Sequence, residues 1–325
     1  MKPSVAVIIV IWNGVEDTLE CLRSLELEGY PDKKVIVVDN ASTDGSAERI
    51  KNEGFDVRII RSPENLGFTG GNNLGLIEAQ NAAVKYAFLL NNDTTLEPGA
   101  IGALVDAAEA NPAGGIFAPV MHYYDSPADI WFAGALLSLS RGEAVHNNFL
   151  NPRRDAAPYP SPWVSGCAML VRIAATETVG GMDDRFYLTW EDVDWCLSMR
   201  AAGWGVEVVP ASRIFHKGGR SGAKLRGIWS YYAVRNSLLM ARKHAGKSYF
   251  SALLCVAGRH LRSALRFEGR ERLDVLGTVA EGLWHHFSGR YGERKAGKGP
   301  GASARIPQGQ AAESIQWRES EREAS

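Results

Sequence analysis

The segment FYLTWEDVDWCLSMRAAGW sets Glu191, Asp192 and Asp194 between Trp190 and Trp195. Three carboxylates beside two indoles suit a general base next to a sugar-stacking surface. Burial against an indole raises a carboxyl pKa and makes the carboxylate a stronger base. Acidic residues also favour the positive end of a helix, which would account for part of the cluster without chemistry. A second candidate, Asp93, stands in LLNNDTTLEPG just past an apolar run. It could hold a divalent cation between two phosphates, or sit in a solvated turn. His216 opens FHKGGRSG, whose Lys217, Arg220 and Ser221 could close over a diphosphate, although a lone histidine is commonly structural.

Two further segments suit a nucleotide. Asp39, in VVDNASTDGS, could accept the imide N–H of a pyrimidine base, with Asp44 and Ser46 capping the next helix; all of them could equally be turn and cap residues. NLGFTGGNNLG, Asn65–Gly75, carries four glycines, three asparagines and no charge. Glycines let backbone approach a ligand, and free N–H groups at a helix start suit phosphate, but a Gly-rich cap has the same composition.

Positioning these groups requires a sheet. Val5–Ile11, Lys34–Val38 and Tyr86–Leu90 are apolar runs, each ending in a polar turn: WNG, DNASTDGS and NNDTT. Thr18, Leu19, Leu22 and Leu25 recur at helical spacing, and 42–51 and 70–83 also read as helices. Alternating strands and helices imply an α/β fold with a parallel sheet, whose ligands bind at the carboxyl ends of the strands. Residues 111–159, richer in Pro, Gly and Asn, suit a short β-excursion with an acceptor-facing loop. From 227 to 287 the pattern is mainly helical. In it Leu253, Leu254, Ala257, Leu261, Ala264 and Leu265, with Arg259, Arg262 and Arg266 nearby, would either lie on an anionic membrane or pack on the rest of the chain. The polar stretch from 293 to 325 reads as disordered.

Composition narrows the class. The chain has 325 residues, 45% hydrophobic and 22% charged, as in ordinary globular proteins. Four scattered cysteines with no CxxC pair argue against a zinc site or a disulfide scaffold. The apolar start is too β-branched for a signal peptide, and no run reaches the roughly 18 residues of a membrane span. A cytoplasmic protein is expected, with a peripheral place on the inner membrane face as the alternative. From Arg213 to Lys298 there are 18 basic against 5 acidic residues, so the back half either meets an anionic surface or ligand, or presents a solvated helical face. No nucleic acid is implied.

Taken together, the segments IIVIWNG, VVDNASTDGS, NLGFTGGNNLG, LLNNDT, WVSGCAMLVR, FYLTWEDVDWCLSMRAAGW and IFHKGGRS resemble the family 2 inverting glycosyltransferases of the GT-A fold. The likeness is strongest to the bacterial rhamnosyltransferase-like branch, and it runs from Ser4 to about Asn236. The resemblance implies a mostly parallel central sheet with helices on both faces, plus a helical C-terminal extension. It divides the chain into a catalytic domain at 1–226 (nucleotide-binding 1–110, acceptor and catalytic 111–226), helices at 227–292 and a tail at 293–325. Asp39 then matches the base-binding aspartate, and Asn65, Gly67 and Gly71 the loop beside ribose and diphosphate. Trp12, Asn13, Asn72, Asn92, Arg220 and Ser221 are expected around the same donor. Asp93 matches the metal-binding triplet and His216 a second ligand, for Mn2+ or Mg2+. Asp192 matches the catalytic base, with Glu191 in support, and Trp163, Gly166, Trp190 and Asp194 are expected on the acceptor side. One departure is Asn91 in the first triplet position, which offers an oxygen but no charge.

The resemblance implies transfer of a sugar, rhamnose favoured, from a dTDP- or UDP-linked donor to a hydroxyl of a glycan or lipid-linked glycan, as in cell-wall or polysaccharide biosynthesis. A non-catalytic sugar-nucleotide-binding protein of the same fold would show a damaged WED or metal site. A nucleotide-sugar oxidoreductase would need GxGxxG after the first strand, where this chain has WNGVEDT, and a nucleotidyltransferase a basic N-terminal loop.

Overall fold

The computed structural model describes residues 2–147, 149–218 and 222–294. Arg220, Ser221 and the tail from 295 onward lie outside the described residues, so the expectations placed on them do not enter the structural account.

The first 90 residues alternate as the sequence pattern requires: β1 (Val5–Ile11), α1 (Val15–Glu28), β2 (Lys33–Asp39), α2 (Ser46–Asn52), β3 (Val57–Arg61), α3 (Gly67–Asn81) and β4 (Tyr86–Leu90). The run VAVIIVI of β1 is almost wholly buried, as a central strand covered on both faces must be. Then come β5 (Thr94–Leu96), α4 (Ala100–Ala110), β6 (Gly114–Tyr123), β7 (Ile130–Phe132), β8 (Ala135–Ser138), β9 (Glu143–His146) and β10 (Tyr159–Pro160). The chain continues through β11 (Ala168–Arg172), α5 (Ile173–Val179), α6 (Glu191–Ala201), β12 (Gly205–His216), α7 (Gly222–His244), α8 (Tyr249–Ala264) and α9 (Gly269–Phe287).

Among the described residues one sheet runs β10-β12-β6-β11-β4-β1-β2-β3, with β5 on β12 and β7 on β6. β1 pairs in parallel with β2 and β4, β2 with β3, and β6 with β12. β11 is inserted antiparallel between β4 and β6. The central sheet is therefore mostly parallel, with the short β5, β7 and β10 reversed at its margin and β11 reversed within it, which brings the 163–167 segment back to the carboxyl end of β4. The expected excursion in 111–159 is real: β8 and β9 form a separate antiparallel hairpin.

The glycines of 65–75 do a different job from the one their composition suggests. A Cβ on Gly71 would lie 2.6 Å from Val10 Cγ1, and one on Gly75 would collide with Ile8. Here they let α3 lie close against β1. Gly67 alone requires its glycine conformationally, at φ +72° with the Tyr187 carbonyl against it.

The helical region is joined to the sheet part through α7, which begins at Gly222, inside the expected catalytic domain. The apolar face read along α8 splits in two. Ala252, Val256, His260 and Ala264 pack inward, whereas Phe250, Leu254, Leu261 and Leu265 are exposed. Arg259 also turns inward, donating to the carbonyls of Arg141 and Gly142. No helix among the described residues is long and apolar enough to cross a membrane.

Candidate active site

Polar turns at the ends of β1 and β2 build one side of the site from short-range hydrogen bonds. Asn13, at φ 63°, accepts the N–H groups of Thr43 and Asp44 on Oδ1. Asp39 Oδ1 accepts the Ser42 N–H at 2.8 Å, which makes it a turn residue, yet Oδ2 has no partner among the described residues and remains open to a ligand. Asp44 takes the Ser46 N–H at 3.0 Å, the helix-start role expected of it. Trp12 is half-buried at the same edge.

Asn40, which sequence reasoning missed, organises the next loop. Its Nδ2 donates to Asn65 Oδ1 and the Gly67 carbonyl, and its Oδ1 accepts the Leu66 N–H. An asparagine directly after Asp39 was the signal available. The start of α3 is not free for phosphate. The Tyr187 carbonyl takes the N–H of Phe68 at 2.8 Å and of Thr69 at 3.4 Å, and Asn65 takes that of Gly67. The expected phosphate cradle there is corrected: these donors tie α3 to the 187 loop. Asn72 likewise turns back onto the Phe68 carbonyl, and Gly71 faces Val10.

Asp93 and His216 meet at the end of the β5–β12 pair, where His216 lies opposite Thr94. His216 Nε2 is 3.3 Å from Asp93 Oδ2. The contact lacks the alignment of a hydrogen bond, so Asp93 Oδ1 and both imidazole nitrogens are buried without hydrogen-bond partners among the described residues. Burial opposes charge on both groups. The pair overrides it: Cys167 and Asp93 hold His216 well above its ordinary range, and His216 holds Asp93 below its own. Once the imidazole gives up its proton to the entering metal, a carboxylate oxygen and an imidazole nitrogen, both unpartnered, fit a divalent cation. No group of three or more His, Cys, Asp or Glu capable of holding a metal occurs among the described residues, so donor phosphates would have to complete such a shell. Asn91 is buried against β11, its N–H on the Cys167 carbonyl. Asn92 donates to Thr18 Oγ1 and so fastens the turn to α1 rather than facing a ligand. Lys217 does not reach toward a diphosphate; Asp17 at 2.5 Å and Glu20 at 2.6 Å hold its ammonium against α1.

The WED segment opens α6 after a backbone with Tyr187, Thr189 and Trp190 all at positive φ. Such conformations persist only where surroundings over-determine them. Here α7 does so. Asn236, fully buried, donates to the carbonyls of Phe186, Leu188 and Thr189 at 2.8–2.9 Å. Arg235 donates to those of Arg185, Phe186 and Gly292. This pair was also missed; an Arg-Asn dipeptide inside the apolar helix YYAVRNSLLM was its signal.

Asp192 is 8% exposed, with Oδ2 accepting the Gly166 N–H at 2.9 Å and Oδ1 that of Val193 at 2.8 Å. Burial raises its pKa, only partly offset by these bonds. Glu191 is deeper, its Oε2 unpartnered, and burial with Asp192 beside it pushes its pKa well above the ordinary range. Asp192, Glu191, Trp163, Gly166 and Trp190 line one cleft that is partly open to solvent. Two expected members are elsewhere. Asp194 is 2% exposed and bound to Lys243 at 2.6 Å and His244 at 2.8 Å, so it anchors α7. Trp195 is a core residue, donating to the Gly180 carbonyl. Gly166 and Cys167 connect the two halves: one donates to Asp192 and the other receives the Asn91 N–H.

Comparison with known proteins agrees with this geometry. Residues 6–179 match the model of Glycosyl transferase family 2. An N-acetylglucosaminyl-diphospho-decaprenol L-rhamnosyltransferase of Mycobacterium tuberculosis (strain CDC 1551 / Oshkosh) is 31% identical over 216 residues, 60% of this chain and 70% of the relative. The dTDP-rhamnosyl transferase RfbF of Shigella flexneri is 24% identical over 268 residues, 75% of this chain and 82% of the relative. Among solved structures, a Pyrobaculum calidifontis mannosyltransferase with GDP-Man and Mn2+ superposes with TM-score 0.57 at 15% identity, covering 88% of each chain. GalNAc-T7 with UDP, GalNAc and Mn2+ gives 0.61 at 15% identity over 87% of this chain, which spans about half of that enzyme (55%). The fold is that of these GT-A transferases.

Proposed function

This chain belongs to glycosyl transferase family 2, and from that premise we propose that it transfers rhamnose, with inversion, from a dTDP-linked donor to a hydroxyl of a lipid-linked glycan. Membership sets aside the oxidoreductase and nucleotidyltransferase readings. The observation that carries the proposal is Asp192, a buried carboxylate fixed by two backbone N–H groups in a cleft lined by Trp163 and Trp190. Such a group can take the proton of an acceptor hydroxyl as its oxygen attacks the anomeric carbon, and a single displacement inverts that carbon. Glu191, held protonated by burial, keeps a second negative charge away from the base. Asp39 Oδ2 receives the base imide, and the 65–67 loop flanks the ribose. Asp93 and His216 would hold a divalent cation, whose charge offsets that of the leaving diphosphate.

Rhamnose and the acceptor follow from the two relatives, one a dTDP-rhamnosyl transferase and the other acting on N-acetylglucosaminyl-diphospho-decaprenol. A place on the membrane is part of the proposal. α8 exposes Phe250, Leu254, Leu261 and Leu265 beside the exposed Arg262 and Arg266, and α9 exposes Leu273, Trp284 and Phe287. Apolar stripes flanked by arginine suit an anionic bilayer surface.

The test is transfer from dTDP-rhamnose and a panel of UDP-sugars to N-acetylglucosaminyl diphosphate on an undecyl chain, with Mn2+ and with EDTA. Metal-dependent transfer from dTDP-rhamnose is expected, with more pelleting on anionic than on neutral vesicles. Transfer from UDP-sugars alone would reassign the donor, and EDTA-insensitive turnover would remove the metal.

A further inference from the structure

The cleft that holds Asp192 has a second wall, made by β9 and α8. His146 ends β9 and lines the cleft with Arg259 and His260 of α8. The ring of His146 packs edge-on to Trp131 at 4.7 Å and Phe132 at 5.1 Å, and tilted to Trp163 at 5.6 Å. Its Nδ1 lies 3.0 Å from the Trp131 carbonyl. A carbonyl only accepts, so Nδ1 carries the hydrogen and Nε2 carries a lone pair. The residue is 9% exposed, and Nε2 is buried with no hydrogen-bond partner among the described residues. Burial also drives its pKa down to about 4, so the ring is neutral near pH 7.

An unpartnered buried acceptor costs free energy unless something supplies a donor. Two polar side chains of the same cleft are committed elsewhere. Trp163 Nε1 donates to the Leu136 carbonyl, and Ser237 Oγ to that of Val234. The cleft also presents the reverse case: Arg259 Nε is a buried donor without a partner, though the same guanidinium binds Glu143 at 3.2 Å. A sugar hydroxyl both donates and accepts, so it can satisfy groups of either kind.

We propose that His146 Nε2 accepts a hydrogen bond from a hydroxyl of the acceptor sugar, and so helps to set which hydroxyl faces Asp192. The inference rests on the reading of this cleft as the acceptor site. It makes the β8–β9 hairpin and α8 part of acceptor recognition, rather than a cover for the catalytic part.

The experiment uses the full chain with dTDP-rhamnose, Mn2+ and N-acetylglucosaminyl diphosphate on an undecyl chain. His146→Phe keeps an aromatic ring in the cage and removes the acceptor atom. It should raise the KM for the undecyl substrate about three- to tenfold, the worth of one hydrogen bond. The KM for dTDP-rhamnose should stay within about twofold on the same scale, and His146→Gln should recover part of the loss. An unchanged acceptor KM in His146→Phe, with transfer intact, overturns the inference and leaves the proposed function standing. A second measurement needs neither turnover nor a variant that folds. The 15N resonance of His146 Nε2 in the wild-type protein should move upfield when the undecyl substrate is added without donor. That shift without any transfer from dTDP-rhamnose would support the site and remove dTDP-rhamnose as the donor. An unmoved resonance at saturating substrate overturns the inference.

Discussion

The proposed donor and acceptor sides of the site are built in opposite ways. On the donor side, Asn13, Asp39, Asn40 and Asp44 lie at or just past strand ends and fix the neighbouring turns through local hydrogen bonds, while Asn13 Nδ2 and the Asp93–His216 pair are left unpartnered among the described residues. On the acceptor side, Asp192 draws its surroundings from Phe68 and from residues between 142 and 260, with Glu191 Oε2, His146 Nε2 and Arg259 Nε buried and unpartnered among the described residues. Three positive-φ residues lead into it, held by α7. Binding a common nucleotide needs a rigid, ready surface. Abstracting a proton needs a carboxylate kept from water, and the cost of keeping it there is offset by distant contacts.

The contrast breaks most sharply at Asp192. Asp192→Asn keeps the shape and removes the proton acceptor, so transfer should fall by about 10²–10⁴. Donor affinity by calorimetry should hardly change; a comparable loss of donor binding would merge the two sides into one.

Next in size is Asn236→Ala, at a residue that does not itself line the cleft. It removes the Asn236 donor from the Leu188 and Thr189 carbonyls, while that of Phe186 keeps Arg235 and the Leu188 N–H, at a cost of about 2–4 kcal/mol. A base displaced by about 1 Å should slow kcat on the order of 10²-fold. Steady-state kinetics with the donor KM measured separately would show the split, and an unaltered kcat would deny α7 its positioning role.

Asp93→Ala sharpens the donor side. With Mn2+ present, dTDP affinity should weaken roughly tenfold, as expected for a lost charge-assisted contact. EDTA should then have little further effect. If the variant binds dTDP as the parent does, Asp93 is not a metal ligand.

The smallest effect concerns Glu191. Its folded-state pKa is raised by burial and by Asp192, so its contribution to stability is present below the unfolded-state value and is lost as pH rises through the folded one. Glu191→Gln removes that loss. Thermal melts above pH 7 should find it at least as stable as the parent, with a flatter pH dependence; a lower stability with an unchanged pH dependence would mean that Glu191 is ionised and paired.

Legibility followed the same divide. β1 and β4 fall on the ranges their apolar runs predict, because a buried parallel strand is written as consecutive β-branched and apolar residues. Asp39, Asp93 and Asp192 could be picked out because each follows a strand end or opens a helix. The roles of Gly71, Asn72, Asp194 and Lys217 were not legible. Each is decided by a partner that composition cannot reveal: Val10 for Gly71, the Phe68 carbonyl for Asn72, Lys243 and His244 for Asp194, and Asp17 with Glu20 for Lys217. Asn40 and Asn236 were hidden for the same reason, since an asparagine that satisfies backbone carbonyls resembles any other asparagine. The face of α8 split because helical periodicity fixes which residues align, but not which side of the helix meets the protein.

The most direct test of the account is the anomeric configuration of the product, read by proton NMR on the initial product of the wild-type enzyme with dTDP-rhamnose and the undecyl-linked acceptor. A lone base at Asp192 acting in a single displacement predicts the configuration opposite to that of the donor. A product that retains the donor's configuration would contradict it.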